Sequence, residues 1–230
     1  MDKSRDALKG VAKELAEHIS SGMTLGLGSG STVAALLEEL VPLVVARSKT
    51  IRGVATSTQI EMAAVKCGVE LVPFKGSVDL VIDGADQVDA RLNLVKGGGG
   101  ALLKEKIVMG GARSVVIVAG EAKFAGKLCE NGVRVPVEVI PMARENAKLK
   151  LSTLGGIPEE RLLPRGYPYF TESGNVILDT LFEPIDNPRE LEMRAKSIPG
   201  VVEVGIFTVK PISVYRLRDD GGFELRSSSG

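Results

Sequence analysis

Short apolar runs alternate with longer segments whose apolar residues recur every three or four positions, from the start of the chain to about residue 130. Alternation of this kind favours a parallel sheet covered by helices, a Rossmann-like α/β arrangement. The periodic segments predict helices at residues 7–19, 32–46, 59–67 and 101–110, and the short runs predict strands at residues 23–27, 51–55, 69–72, 78–82 and 114–119.

The pattern changes after about residue 130, where the order becomes strand, helix, two strands, helix, strand. This βαββαβ order is typical of a ferredoxin-like α+β domain. We therefore predict a small domain at residues 131–208 and a Rossmann-like catalytic domain at residues 1–130 plus 209–230, to which residues 213–225 could return as an edge hairpin. The elements predicted for the small domain are strands at 133–140 and 201–208, helices at 143–154 and 188–197, and a hairpin-like pair at 171–181.

The composition excludes several classes of function. The 230 residues contain 29 Lys+Arg and 29 Asp+Glu, and only 4% are aromatic. Nucleic-acid binders rely on basic surfaces and on aromatic side chains that stack with bases, so no nucleic-acid partner is expected. No apolar run approaches the ~18 to 20 residues of a membrane span, and charged residues interrupt the start of the chain where a signal peptide would be apolar. We expect a cytoplasmic protein with no membrane partner.

Histidine and cysteine are too few for the common metal sites and catalytic triads. His18 is the only histidine, and Cys67 and Cys129 lie far apart without the spacing of metal ligands or of a redox pair. Two unpaired thiols fit a reducing compartment. Acid–base chemistry must therefore come from carboxylates and lysines, and neither a metal nor a cofactor is expected.

A glycine-rich loop, GLGSGST at residues 26–32, lies between the first predicted strand and the next helix. Backbone N–H groups at glycines, the positive end of a helix and the hydroxyls of Ser29, Ser31 and Thr32 would together bind a phosphate well. The loop lacks the lysine of a P-loop and the third glycine of a dinucleotide fingerprint. The alternative is a glycine turn in which Ser31 or Thr32 only caps the helix.

The string DGAD at residues 83–86 follows the predicted strand at 78–82. Parallel α/β sheets bind ligands at the carboxyl ends of their strands, which places Asp83 and Asp86 at the rim of the expected site. Two acids in a partly desolvated cleft can divide proton donation and acceptance between them. A simple turn, for which Asp is a favoured residue, is the alternative.

Four consecutive glycines at residues 97–100 follow Lys96 and precede the helix at 101–110. Such a run costs much backbone entropy, and a close approach to a ligand explains it better than a flexible tether does. Glu105 lies about one turn inside the helix between two lysines. It is a candidate acid–base group, and the alternative is a charge on a solvated helix face.

Six strings together resemble the type A ribose-5-phosphate isomerase family, in its order and spacing and over nearly the whole chain. Ser29 stands where the family more often has Thr, and Gln87 stands where a Glu commonly follows DGAD, which removes a charge beside the expected site. The strings are GLGSGST at 26–32, DGAD at 83–86, KGGGGALLKEKI at 96–107, VEVIPMA at 137–143, GNVILD at 174–179 and IPGVVEVGIF at 198–207.

The resemblance implies interconversion of ribose 5-phosphate and ribulose 5-phosphate through an enediolate, in the non-oxidative pentose phosphate pathway, by a homodimer or homotetramer. It implies that Glu105 is the base, that Asp83 and Asp86 handle ring opening and hydroxyl protons, and that Lys96 stabilises the enediolate. The implied substrate contacts are Ser29, Gly30, Ser31, Thr32, Asp83, Gly84, Ala85, Asp86, Lys96, Gly97, Gly98, Gly99, Lys123 and Lys9, the last of which could instead be a solvated helix lysine.

Two other classes of function are alternatives. A sugar-phosphate sensing domain of a transcription regulator can have a glycine-rich phosphate loop on a similar fold, but no helix-turn-helix pattern precedes the loop here. A nucleotide-binding dehydrogenase needs an intact glycine fingerprint and an acidic residue at the end of the second strand, and this sequence has neither.

We predict that the isomerase activity does not depend on a metal ion. The single histidine and the isolated cysteines give no ligand set of the usual kind, and a carboxylate base with a lysine could replace a Lewis acid. Turnover of ribose 5-phosphate should be unchanged after exhaustive chelation. Loss of activity that Mg²⁺ or Zn²⁺ restores would contradict this prediction and make Asp83 and Asp86 metal ligands.

Overall fold

The computed structural model describes residues 3–208 and 212–228. Its helices are α1 (Lys3–His18), α2 (Ser31–Ala46), α3 (Thr58–Lys66), α4 (Leu102–Gly110), α5 (Arg144–Thr153) and α6 (Pro188–Lys196). Its strands are β1 (Met23–Leu27), β2 (Ile51–Ala55), β3 (Glu70–Leu71), β4 (Val78–Asp83), β5 (Gln87–Val88), β6 (Leu94–Val95), β7 (Ala112–Gly120), β8 (Val135–Val139), β9 (Ile157–Glu160), β10 (Val176–Leu181), β11 (Val201–Val204), β12 (Ile206–Phe207), β13 (Ser213–Leu217) and β14 (Phe223–Ser227).

The chain forms two units, each with its own sheets. The first contains Met1–Gly84, Lys104–Ala122 and Val209–Gly230, and the second contains Ala85–Leu103 and Lys123–Thr208. Compared with the division expected from the sequence, residues 85–103 and 123–130 lie in the second unit.

The first unit contains a seven-stranded sheet in the order β14-β13-β7-β4-β1-β2-β3. All neighbouring strands are parallel except β13 and β14, which form the expected edge hairpin. From β1 the chain proceeds outward to β2 and β3 and then returns to the other side of β1 as β4. This reversal opens a crevice at the carboxyl ends of β1 and β4, where open α/β sheets bind ligands.

Helices cover the sheet through apolar faces that the sequence spacing predicts. The positions expected to form the buried stripe of α1, Leu8, Val11, Leu15 and Ile19, are at most 6% exposed. The helix α2 is apolar over most of its surface and buries Leu36, Leu37 and Leu40 against the same core. Within residues 3–208 and 212–228, no helix has both the length and the apolar character that would let it cross a membrane.

The second unit contains the predicted βαββαβ order. Its strands β8, β9, β10 and β11 form an antiparallel sheet in the order β11-β8-β10-β9, the order of a ferredoxin-like sheet, with α5 and α6 as the two helices. The core of this unit is a separate cluster of buried residues that includes Val137, Leu151 and Leu178. The predicted α+β class is therefore confirmed.

Two details of the predicted small domain are wrong. The strand that directly precedes β10 in the chain and pairs with it is β9, not the start of the segment predicted at 171–181. Residues 171–175 instead form a tight turn, in which the Thr171 N–H donates to the Asn175 carbonyl oxygen at 2.8 Å. The strand expected at 201–208 is broken at Gly205, where a Cβ would lie 2.3 Å from the Lys96 carbonyl oxygen. After this close approach the chain joins another sheet as β12.

A three-stranded sheet in the order β12-β6-β5 explains why residues 85–103 lie in the second unit. The strand β6 pairs with β12, which directly follows the ferredoxin-like strand β11. The Gln87 side chain accepts the Cys129 N–H at 2.6 Å, and Leu128 forms a bridge with Ile185, so residues 123–130 are held in the same unit. These strands are too short for the sequence pattern to reveal.

The two cysteines are free thiols, as the sequence predicts. Cys67 is half-buried and Cys129 is buried. Burial raises the pKa of the Cys129 thiol to about 11, because a thiolate would lose its hydration there. This thiol is therefore suited to packing rather than to nucleophilic chemistry.

Candidate active site

The loop at residues 28–32 joins β1 to α2 at the crevice of the first unit. The Gly28 N–H donates to the Ile82 carbonyl oxygen at 2.9 Å, and a Cβ on Gly28 would lie 1.9 Å from Cγ of Asp83. Glycine alone lets the loop pass this close to the carboxylate. Gly30, with a φ of 114°, is the N-cap of α2, so the alternative in which Ser31 or Thr32 caps the helix is wrong.

Side chains from the end of β2 and the start of α3 hold this loop. The Ser29 hydroxyl donates to Ser57 Oγ at 2.7 Å and lies 2.9 Å from Thr56 Oγ1. The Gly30 N–H donates to Gln59 Oε1 at 3.0 Å. The helix α3 also begins at this loop, because Ser57 is its N-cap. The positive ends of α2 and α3 therefore both favour an anion at the loop.

Glu105 lies on the buried face of α4. Its side chain is 4% exposed, and Oε1 accepts the Ser29 N–H at 3.3 Å. The interpretation as a solvated surface charge is therefore wrong. A sequence signal was present, since Glu105 lies three residues from both Leu102 and Val108, which are buried, so the three share one helix face.

Asp83 is the last residue of β4 and is fully buried. Its Oδ1 accepts the Gly84 N–H at 2.7 Å. The first unit therefore brings two buried carboxylates, Asp83 and Glu105, against the same glycine-rich loop, one through the close approach of Gly28 and one through the N–H of Ser29.

The second unit contains the remaining expected catalytic groups. Lys96 follows β6, is 3% exposed, and has its ammonium 5.6 Å from the centre of the Phe207 ring. The backbone N–H of Lys96 donates to the Gly205 carbonyl oxygen at 2.9 Å, and this bond fixes the start of the glycine run. Asp86 is half-buried, and its Oδ2 accepts the Gly98 N–H at 2.8 Å. The alternative, in which DGAD is a simple turn, does not account for this hydrogen bond between Asp86 and the glycine run.

The other expected contacts range from buried to exposed, and Gly97 is buried. Gly84 and Ala85 are half-buried, and Gly98 and Gly99 are exposed in the glycine run. Lys123 is exposed and ends the 3-10 turn Glu121–Lys123, which follows β7. Lys9 is exposed on α1, with Nζ 3.9 Å from Asp6 Oδ1 one turn away. The roles of Lys123 and Lys9 stay predictions.

Gln87 is 2% exposed, and its side-chain oxygen is occupied by the Cys129 N–H. It serves to join two segments of the second unit.

The residues that support the two loops lie outside the motifs that the sequence shows. Thr56, Ser57 and Gln59 hold the 28–32 loop, and the hydroxyl-rich string at 56–58 after a predicted strand was the available signal. Arg161 and Tyr169 donate to carbonyl oxygens of the glycine run from more than sixty residues away, where no local pattern points to them. Within residues 3–208 and 212–228, no group of three His, Cys, Asp or Glu side chains is arranged to hold a metal ion.

An open parallel sheet with a glycine-rich loop at its strand-order reversal, and two buried carboxylates against that loop, is the arrangement of an α/β enzyme that uses acid–base chemistry.

Comparison with known proteins identifies the family. The family model for ribose 5-phosphate isomerase A (phosphoriboisomerase A) matches residues 52–221. The chain is 45% identical to the ribose-5-phosphate isomerase A of Methanosarcina acetivorans over 82% of this chain and 81% of that protein. It is 40% identical to that of Sphingopyxis alaskensis over 95% of this chain and 93% of that protein.

Solved structures agree with the sequence relatives. The ribose 5-phosphate isomerase A of Methanocaldococcus jannaschii superposes with a TM-score of 0.89 at 38% identity, covering 97% of this chain and 99% of that chain. A D-ribose-5-phosphate isomerase in complex with phospho-erythronic acid gives a TM-score of 0.89 at 33% identity, covering 98% of this chain and 97% of that chain. The chain belongs to the ribose 5-phosphate isomerase A family and is an isomerase.

We predict that Gly28→Ala destabilises the protein and abolishes isomerase activity. The added Cβ would overlap the Asp83 carboxylate, so the loop or the strand end must shift. Overpacking of this kind costs about 1–3 kcal/mol or more. Gly110→Ala is the matched control, because its Cβ would meet nothing within 4 Å. Thermal unfolding and turnover should separate the two variants, and a Gly28→Ala protein as stable and active as the control would contradict the prediction.

Proposed function

We propose that this protein interconverts ribose 5-phosphate and ribulose 5-phosphate through an enediolate. One observation carries the proposal: the buried carboxylate of Glu105 accepts the N–H of Ser29 in the phosphate loop, so a proton acceptor is fixed to the anion site itself. Family membership supports the choice of substrate. The related isomerase bound to phospho-erythronic acid supports it further, since that ligand combines a phosphate with a carboxylate that resembles an enediolate.

The proposed proton transfer needs only one base. Glu105 takes the proton from C2 of open-chain ribose 5-phosphate, and the electron pair of that bond forms the C1–C2 double bond while the aldehyde oxygen becomes the enediolate oxygen. The same carboxyl group returns the proton to C1. The C2 hydroxyl loses its proton and becomes the ketone oxygen, and O1 gains a proton and becomes a hydroxyl. The product is therefore the 2-ketose, with no net change in the number of protons.

The other groups would stabilise charge and move hydroxyl protons. Asp83 and Asp86 open the sugar ring and pass protons between its oxygens. Lys96 and the N–H groups of Gly97 and Gly99 stabilise the negative charge of the enediolate, while the Gly98 N–H holds Asp86.

The phosphate binds at Ser29, Gly30, Ser31 and Thr32, where two helix N-termini favour an anion. Lys123 and Lys9 are proposed further contacts. Because Ser29 Oγ donates to Ser57 and the Ser29 N–H donates to Glu105, we assign the Ser29 hydroxyl to holding the loop and its N–H to holding the base beside the phosphate.

The main test is Glu105→Gln, which keeps the size and most hydrogen bonding of the side chain but removes the proton acceptor. Turnover of ribose 5-phosphate should fall by roughly 10² to 10⁴ or more, the usual scale of general base catalysis. Binding of a substrate analogue should barely change, because the phosphate does not need this carboxylate. Steady-state kinetics and titration calorimetry measure the two effects.

Thr32→Ala is the contrasting variant, since it should chiefly weaken binding of phosphorylated ligands. A folded Glu105→Gln protein with nearly parental turnover would exclude this base and move the search to Asp83 or Asp86.

We also infer a homo-oligomer. The segment between β9 and β10 carries large apolar side chains that are 46–66% exposed, an arrangement that marks protein–protein contacts. Sedimentation at assay concentration should give a dimer or tetramer, and a fully active monomer would contradict the inference. The residues are Leu162, Leu163, Tyr167 and Phe170.

The proposed setting is the cytoplasm and the non-oxidative pentose phosphate pathway. A charged sugar phosphate does not cross membranes unaided, so the enzyme must share a compartment with its substrate. The two free thiols fit a reducing compartment.

A further inference from the structure

Arg161, the residue after β9, connects the ferredoxin-like sheet to the glycine run within the second unit. Its guanidinium forms two parallel hydrogen bonds with Asp179 of β10, from Nε at 2.8 Å and from Nη2 at 2.5 Å. This bidentate pair of hydrogen bonds fixes the plane and direction of the guanidinium. Its Nη1 then donates to the carbonyl oxygens of Gly97, at 3.1 Å, and Gly98, at 2.9 Å.

Tyr169 holds the next carbonyl. Its hydroxyl donates to the Gly99 carbonyl oxygen at 3.2 Å, and its ring lies 5.6 Å from the Arg161 guanidinium. The Tyr169 N–H also donates to the Arg161 carbonyl oxygen at 3.1 Å, so the two residues are fixed to each other. A Cβ on Gly100 would lie 2.1 Å from the Tyr169 hydroxyl oxygen, which requires glycine there.

Three consecutive carbonyls of the glycine run are therefore bound on one side. In a trans peptide the N–H points opposite to the C=O, so holding these oxygens sets the direction of the N–H groups of the next residues. The Gly98 N–H donates to Asp86 at 2.8 Å. The Gly99 N–H belongs to the same peptide group as the Gly98 carbonyl, which Arg161 binds at 2.9 Å. A cation at the carbonyl also polarises the peptide and strengthens its N–H as a donor.

We propose that Arg161 and Tyr169 are positioning residues for the oxyanion donors of the isomerase. By binding the carbonyls of Gly97, Gly98 and Gly99, they hold a run of otherwise flexible glycines and direct the Gly99 N–H toward the enediolate oxygen. The inference rests on the proposed function, because it explains how the N–H donors used in that function are oriented. It gives the small α+β unit a part in catalysis through these two side chains.

A purely structural role for the Arg161–Asp179 pair predicts different kinetics. Loss of an ion pair that only stabilises the sheet would lower thermal stability and leave the kinetic constants of the folded enzyme unchanged. Loss of a group that orients transition-state donors lowers kcat while KM stays the same, because ground-state binding of the phosphate lies elsewhere. The split between kcat and KM therefore distinguishes the two roles.

The test compares two variants with a control in the same unit. Arg161→Lys keeps the charge but loses the planar fork, and Tyr169→Phe removes only the hydroxyl. We expect kcat to fall about 10- to 100-fold for Arg161→Lys, the range seen when groups that orient reacting ligands are lost at metal sites, and less for Tyr169→Phe. KM should change by less than about twofold. Arg144→Lys is the control, because Arg144 pairs with Glu160 of β9 at 3.2 Å and should leave kcat unchanged.

Binding of phospho-erythronic acid gives a second readout. Its carboxylate resembles the enediolate in charge and shape, so calorimetry should show binding to Arg161→Lys about 10-fold weaker, with inorganic phosphate binding as in the parent. Parental kcat in both variants, or equal weakening for both ligands, would overturn the inference. If Arg161→Lys does not fold, Tyr169→Phe decides. A parent chain that does not isomerise ribose 5-phosphate would refute the proposed function instead, and calorimetry would still test the orientation of the donors.

Discussion

The close passage of Gly28 over Asp83 is the constraint on which the first half of the site depends. The Gly28 N–H bonds to the Ile82 carbonyl oxygen of β4, and no side chain stands between the loop and the carboxylate. The loop can then place the Ser29 N–H on Glu105 and begin α2 at Gly30. With a larger residue at position 28 the loop would have to move away from β4, and the Ser29 N–H would move away from Glu105.

The 28–32 loop of the first unit and the glycine run of the second unit are held in place in different ways. Glycine supplies the backbone freedom that close approach to a substrate requires, but that freedom must then be removed for catalysis. In the 28–32 loop, side chains hold it: Ser29 bonds to Ser57, and Gly30 bonds to Gln59. In the glycine run, carbonyl oxygens hold it, because Arg161 and Tyr169 bind them from the ferredoxin-like unit.

Much of the fold followed from local pattern. The helical spacing of α1, the alternation of strands and helices and the βαββαβ order were confirmed, because each depends on side chains a few residues apart. The errors came where a non-local contact decided the backbone. The strand at 201–208 breaks at Gly205 because the chain passes close to the Lys96 carbonyl, and the hairpin partner of β10 is β9 because residues 171–175 turn back on themselves.

The sequence by itself determined the order of elements, the loops that carry the chemistry and, through six strings in family order, the expected activity. Only the tertiary structure decided that Glu105 is buried against Ser29, that Ser29 directs its hydroxyl to Ser57, and that Arg161 reaches the glycine run. The reason is physical. Helix and strand periodicity depends on neighbours in sequence, whereas these contacts join residues 28 to 76 positions apart, which only the packed chain brings together.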